Sequence, residues 1–223
     1  MSLLCIADLL APEACSTLCE RLRQLPQRDG RATAGWSAEG VKRNLQFEPG
    51  DPRLHALQDE VERALSSHPM LRSFARPARM TRPMFNLYRA GMRYGRHVDD
   101  ALMGDPPLRT DLAFTLFLSA PEAYDGGELQ LLGNAGTLPV KLAAGALVLY
   151  GAGKLHQVSE VTRGERFAAV GWIQSLIRDA ERREVLFDLD RTRRTLFERE
   201  GDSDEFAALS RCSNALLRMW SEP

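Results

Sequence analysis

The spacing of apolar residues changes period twice along the chain. A short apolar run, Leu3 to Ile6, predicts a strand. Behind Pro12, which suits a first helical turn, Leu18, Leu22 and Leu25 recur at helical spacing until Pro26 ends the pattern. A polar, Gly-rich connection over Asp29 to Gly40 leads to a candidate strand from Val41 to Phe47. A second helix fits residues 53 to 66, where Leu54, Leu57, Val61 and Leu65 form one apolar stripe, with Pro69 just beyond it.

From about residue 84 the period becomes two. Met84 to Tyr88 and Asp111 to Ser119 alternate, and Glu128 to Leu132, Ala146 to Tyr150 and Arg166 to Gln174 are further strands separated by Gly/Pro turns. No helix between them is long enough for a parallel crossover, so the pattern predicts a mainly β fold, an antiparallel barrel or jelly roll with flanking helices. The stretch from Tyr88 to Asp111, with Gly91, Gly95, Gly104, Pro106 and Pro107, reads as a site-bearing loop. After Ser175 the helical period returns. Residues 179 to 199 form one helix, Gly201 breaks it, and Asp202 or Ser203 caps a last helix carrying Phe206, Leu209, Leu216 and Trp220. Two such helices cannot bury their stripes on each other alone, so they pack on the β core or make a homo-oligomer contact.

The division that follows is a domain over residues 1–177, its β core at about 84–175 with the N-terminal helices packed on it, and a C-terminal helical extension over 178–223. The 223-residue length suits one such domain with an appendage. No apolar run approaches the ~20 residues of a membrane span, and no basic segment precedes the short apolar N-terminus, so a cytoplasmic protein is expected. The 29 basic and 30 acidic residues nearly cancel, leaving +1 over residues 1–177 and −2 over 178–223, which argues against a nucleic-acid or membrane partner. Three lysines stand against 26 arginines, so a fixed cation in a site is expected to be Arg. Cys15 and Cys19, one helical turn apart, read as buried reduced thiols, and His55 and His68 as histidines without a metal role.

Candidate chemistry gathers around His97-Val98-Asp99 and, far downstream, His156. His and Asp two apart on extended chain project to one side, and a second His on a returning strand completes a 2-His-1-carboxylate face. Three ligands leave open positions suited to iron(II) rather than to a closed structural zinc. The triplet alone is weak, and a solvated pair beside an unrelated His156 is the competing reading. Arg166 adds context: on its strand it shares a face with Ala168, Val170 and Trp172, and an arginine aimed into an apolar barrel needs an anion. Asn86 and Tyr88 share a face of their own strand.

The order Tyr88-x2-Gly91-x2-Tyr94-x2-His97-x-Asp99, then Gly126-Gly127-Glu128, then His156-x9-Arg166 and Trp172, resembles the iron(II)- and 2-oxoglutarate-dependent dioxygenases of the prolyl 4-hydroxylase type. The stretches 85–100, 109–119, 124–129 and 161–166 more closely resemble the PKHD-type hydroxylases, the PiuC-like group associated with iron uptake. The resemblance implies a double-stranded β-helix (jelly-roll) core and a site in which His97, Asp99 and His156 bind iron(II). It implies that Arg166 holds the distal carboxylate of 2-oxoglutarate and that Tyr88, Tyr94 and Trp172 line its pocket, with Asn86 and Asn44 as candidate substrate contacts. Dioxygen would be the second co-substrate, with ascorbate as an accessory reductant left open. The carboxylate of Asp99 favours hydroxylation over halogenation, which requires its absence. Gly151-Ala152-Gly153-Lys154 departs from the Pro/Ser-rich turn expected before the second histidine and puts the lip of the site in doubt.

The implied reaction hydroxylates a peptidyl residue or a small iron-uptake-related molecule. A sensor that binds iron and 2-oxoglutarate with little turnover is the rival. A nucleic-acid-repair dioxygenase could invoke only the arginines at 72, 76, 79 and 82, whose lack of interleaved aromatics, together with Pro77 and Pro83, reads as a solvated connection.

Overall fold

In a computed structural model, which describes residues 3–33, 35 and 38–222, all paired strands run antiparallel. The larger sheet orders its strands as Leu3–Ile6, Leu147–Gly151, Leu112–Phe117, Val161–Ser175, Met84–Arg89, Leu45–Phe47 and Gln27–Asp29. Tyr124–Gly126 and Pro77–Met80 pair with the long strand Val161–Ser175 off this path. The smaller sheet runs Gly136–Val140, Leu129–Gly133, His156–Val158, Arg93–His97 and Lys42–Arg43.

Period-two alternation divides the larger sheet between two cores. Leu112, Phe114, Leu116, Leu147, Leu149, Phe167, Ala169 and Ile173 face helices α1 (Pro12–Arg23), α2 (Pro52–Ser67) and α3 (Pro69–Ala75), which supply Leu18, Leu22, Leu57, Val61 and Leu71. The intervening residues Ala113, Phe117, Val148, Tyr150 and Trp172 face the smaller sheet, with Leu129, Leu131 and Val140. Both faces of the sheet are therefore covered, and its inner face forms one wall of the cavity described below.

Several expectations are corrected. The stretch from Tyr88 to Asp111 is not one loop: Arg93–His97 is a strand of the smaller sheet, and Leu102–Met103 pairs with Leu108–Arg109. The strand expected over Val41–Phe47 divides between the sheets, Lys42–Arg43 in the smaller and Leu45–Phe47 in the larger. Pro69 lies just beyond α2, as expected, and in addition opens α3, a helix not expected from the sequence, since Pro is tolerated where no intrahelical N–H bond is needed. Strands outside residues 84–175 join the sheets, Leu3–Ile6 among them. Of the polar connection Asp29–Gly40, positions 34, 36 and 37 lie outside the described residues; Gly30–Thr33 and Glu39–Val41 are short 3-10 turns.

The arginine run is solvated as expected at Arg72, Arg79 and Arg82, which are exposed, but it is no loose connection, since it spans α3 and the strand Pro77–Met80. Arg76 donates to Leu186 O, Arg79 to Pro106 O and Pro107 O, and Arg82 pairs with Asp59, so these guanidinium groups are tied to the chain itself. Cys15 and Cys19 are buried and unpaired, and burial raises their thiol pKa values to about 11 and about 12, as inert reduced thiols require. The C-terminal helices are α4 (Ala180–Glu200) and α5 (Asp204–Trp220), capped by Asp179 and Ser203. Among the described residues no helix is long and apolar enough to cross a membrane.

Candidate active site

Strand pairing builds the metal-ligand set. His97, the last residue of Arg93–His97, lies directly opposite His156, the first of His156–Val158. Asp99 follows two residues after His97 and returns its carboxylate between them: Oδ1 lies 3.9 Å from His97 Nε2 and 3.8 Å from His156 Nε2. The ligand atoms of all three lie within 4.8 Å of one another, the one such cluster of three among the described residues.

Each imidazole is oriented by a backbone carbonyl two residues before it. His97 Nδ1 sits 2.8 Å from Gly95 O and His156 Nδ1 2.9 Å from Lys154 O. Donation from Nδ1–H to these carbonyls leaves Nε2 as the free lone pair aimed at the cluster. The turn Gly151–Lys154 that departs from expectation thus supplies the carbonyl that orients His156. Burial, reinforced by His156, lowers the His97 pKa to about 3, so the ring is neutral and ready to ligate. Burial raises the Asp99 pKa, opposed by His156. Two imidazole nitrogens and one carboxylate on one side of a cavity fit iron(II) with open coordination positions.

Opposite this cluster, the larger sheet contributes Asn86, Tyr88, Arg166 and Trp172 to a cavity of about 820 Å³, counted out to its mouth. Arg166 is the notable group. It is 2% exposed, has no carboxylate within ion-pair distance among the described residues, and its Nε has no acceptor. Its guanidinium carbon lies 5.2 Å from the Tyr88 ring centroid and 5.4 Å from that of Phe117. Cation–π contact offsets only part of the cost of burying such a charge, on the order of 2 kcal/mol against several. The Tyr124 hydroxyl, beside Arg166, and the Trp172 indole N–H, beside Asp99, are likewise buried without a well-formed hydrogen bond. A dianionic co-substrate with one carboxylate for the guanidinium fits this set of orphaned donors.

The paired glycines explain how the backbone comes so close. At Gly127, φ is +68°, and a Cβ there would lie 2.9 Å from Val161 Cγ2 and 3.0 Å from Arg166 Cδ. Only glycine leaves Arg166 its place.

Tyr94 stacks on His97, with ring centroids 3.6 Å apart and planes 14° from parallel. Tyr88 is buried, and its phenol pKa is pushed up to about 12 by burial. Asn86 lines the cavity, but Asn44 does not; it stands behind Asn86, donating 2.8 Å to Asn86 Oδ1, which also accepts from Gln46 at 3.0 Å.

The sequence reading passed over Lys42, Thr33, Tyr124 and Tyr150. Lys42 is 4% exposed and lines the cavity from the edge of the smaller sheet, with its pKa lowered by burial to about 8. Its signal was present: Lys42, Asn44 and Gln46 are buried polar residues at every second position, against the apolar-in rule of a strand.

Comparison with known proteins agrees with this geometry. The 2OG-Fe(II) oxygenase superfamily matches residues 83–174, and the PKHD-type hydroxylase C-terminal domain matches 179–222. A PKHD-type hydroxylase of Picosynechococcus sp. is 44% identical, covering 97% of this chain and 98% of that protein. Another, from Synechococcus elongatus, is 50% identical over 87% of this chain and 88% of its own. Among solved structures, a Pseudomonas putida prolyl-4-hydroxylase superposes with a TM-score of 0.53 at 23% identity, covering 78% of this chain and 92% of that one, a likeness of fold.

Proposed function

The chain belongs to the PKHD-type hydroxylases, iron(II)- and 2-oxoglutarate-dependent oxygenases related to the prolyl 4-hydroxylases, and from that membership we propose that it hydroxylates an aliphatic C–H bond of a peptidyl residue or a small iron-uptake-related molecule. In the overall balance one dioxygen is consumed: one oxygen atom enters the substrate as hydroxyl, and the other enters succinate as 2-oxoglutarate loses carbon dioxide. The observation that carries the reading is a buried, unpaired Arg166 facing a three-ligand cluster across a single cavity.

His97, Asp99 and His156 would hold iron(II), which when bound would supply the redox chemistry that couples decarboxylation to C–H hydroxylation. The chain's own work is orientation and exclusion of water. Gly95 O and Lys154 O hold the ligand imidazoles in one tautomer. Arg166 would hold the distal carboxylate of 2-oxoglutarate across the cavity from the metal ligands, and Tyr88 and Phe117 cover the guanidinium and keep water from it. Tyr94 packs flat on His97 and limits its rotation. Trp172 closes the wall beside Asp99. Asn86 lines the cavity, and its amide is fixed by Asn44 and Gln46, which donate to Oδ1, and by its own donation to Met84 O.

The test is anaerobic addition of iron(II) and 2-oxoglutarate, followed by visible absorption. A weak metal-to-ligand charge-transfer band is expected; a folded, iron-loaded protein without it would remove the co-substrate reading. Oxygen-dependent succinate formation coupled to loss of a substrate then separates a hydroxylase from a sensor, and comparing hydroxylated metabolites and peptides in cells carrying wild type or Asp99→Ala identifies the substrate.

A further inference from the structure

Lys42 is a second buried cation in the same cavity, and the co-substrate leaves it unused. It lies on the smaller sheet, opposite Tyr94 in strand register, whereas Arg166 belongs to the larger sheet. Its Nζ donates to Thr33 Oγ1 at 2.8 Å and sits 5.0 Å from the centroid of the Tyr94 ring. Among the described residues no carboxylate reaches ion-pair distance of it, and of its three ammonium donors one is spent on Thr33. A lysine buried to this extent without an anion is uncommon, because desolvation is costly and unpaired.

Charge counting points the same way. Iron(II), Asp99, a dianionic 2-oxoglutarate, Arg166 and Lys42 together leave one positive charge over. Asp100 also lines the mouth, but it is exposed, so water and salt screen it. At Lys42 itself Asp99, already counted, favours the ammonium, and the opposing charges of Arg28 and Asp29 act against each other. On the reading of Arg166 given above, both carboxylates of 2-oxoglutarate would be taken up elsewhere, one at the metal ligands and one on Arg166. The rest of the wall offers apolar surface: Met84, Met103, Val98 and Val170.

We propose that Lys42 anchors the primary substrate, and that this substrate carries an oxyanion, carboxylate or phosphate, on a short aliphatic body whose C–H bond is presented to the metal centre. The inference rests on the reading of Arg166 as the 2-oxoglutarate anchor. Lys42 is then a specificity-determining contact: it selects anionic substrates and sets how deep the aliphatic body enters.

Because Lys42, Lys141 and Lys154 are the only lysines, ε-13C-lysine labelling of the full chain yields three side-chain signals, and Lys42→Met assigns one of them. The protein is loaded with zinc(II), which binds without turnover, and with 2-oxoglutarate. It is then titrated with hexanoate, hexyl phosphate, hexanol and hexylamine, four probes of one chain length. At least one of the two anions is expected to shift the Lys42 signal saturably while Lys141 and Lys154 stay still, and the neutral and cationic probes leave it in place. The tighter of hexanoate and hexyl phosphate identifies which oxyanion the site takes. Lys42→Met should weaken that probe at least tenfold, and the wild-type titration decides alone where this variant does not fold. A Lys42 signal indifferent to both anions, or shifted equally by hexanol, overturns the proposal. Binding of 2-oxoglutarate is read first from its own signals: its absence sinks the Arg166 reading, whereas its presence beside a silent Lys42 sinks only this inference.

Discussion

Arg166 sets the energetic terms of the site. Burying a guanidinium without an anion costs several kcal/mol, and replacing buried ionic groups by apolar ones of similar volume is often neutral or stabilising by about 1–4 kcal/mol. Arg166→Met is therefore expected to leave the ligand-free protein as stable as wild type or more so, while removing its response to 2-oxoglutarate. With manganese(II) present and 2-oxoglutarate at a hundred times its Kd, wild type should gain about 2.7 kcal/mol and the variant close to none, as thermal or denaturant unfolding would register. An equal gain in both would place the co-substrate elsewhere. For the triad the readout is metal affinity. His97→Ala, Asp99→Ala and His156→Ala each remove one of three ligands, and each should cost more than the roughly 10–100-fold typical of losing an outer-shell partner. Titration with manganese(II) followed by its paramagnetic resonance measures this without turnover, and full affinity in any one variant would dissolve the assignment.

At the scale of elements, the long strand Val161–Ser175 and the glycine turn against it hold Arg166 in place. Gly127 and Gly164 separate local strain from function. Both have φ in the left-handed region, +68° and +77°, and an alanine in such a conformation costs roughly 1–2 kcal/mol before any clash. A Cβ at Gly164 would meet Ala123 O at 2.0 Å, whereas one at Gly127 would press on Arg166 Cδ. Both Gly→Ala variants should unfold more readily, but only Gly127→Ala should also weaken 2-oxoglutarate binding; equal affinities in the two would break the link. The same strands show what sequence can convey. Alternation over 84–88, 111–119 and 166–174 was readable because each face meets its own apolar core, so Arg166, Ala168, Val170 and Trp172 could be assigned to one side. The strand Arg93–His97 was not: Arg93 and Arg96 are exposed, Gly95 weakens the pattern, and pairing with His156–Val158 arises from residues some sixty positions away. The motif thus identified the ligands while the strand that aligns them stayed hidden. Lys42 was overlooked for a related reason, since its inward face is polar and only the second wall of the cavity reveals what it lines.

At the scale of the whole molecule, the C-terminal helices are bound to the core at both ends. Glu222 N donates to Leu176 O at 2.7 Å, so the chain returns to where the tail began, and Arg183 donates to Ile177 O and Arg178 O at the root of α4. Between these points α4 lies on α3 through the Phe74–Phe187 edge contact, with centroids 5.3 Å apart, and through Ser73 Oγ, which donates to Asp190 Oδ2 at 2.6 Å. Asp190 is buried and also takes Arg193 and Arg194. Burial on its own would raise its pKa, but the hydrogen bonds from Ser73 and Arg194 outweigh this and hold the carboxyl below its ordinary value. The sign of the pH dependence follows. A carboxyl whose pKa is lower in the folded state contributes its stabilisation in full above the unfolded value of about 3.9, and loses it as pH falls through the folded value. Between neutrality and pH 5 the docking of α4 should be constant; below about pH 4 its amides should exchange with solvent ahead of those in the sheet. Asp190→Asn should show the faster α4 exchange already at pH 7, because it removes the charge that two arginines and Ser73 face, and it should lose the acid dependence. Hydrogen exchange read by mass spectrometry at pH 7, 5 and 3.5 checks both. If α4 and the central strands lost protection together in wild type, the tail would be part of one cooperative unit with the oxygenase core rather than an extension clasped to it through α3.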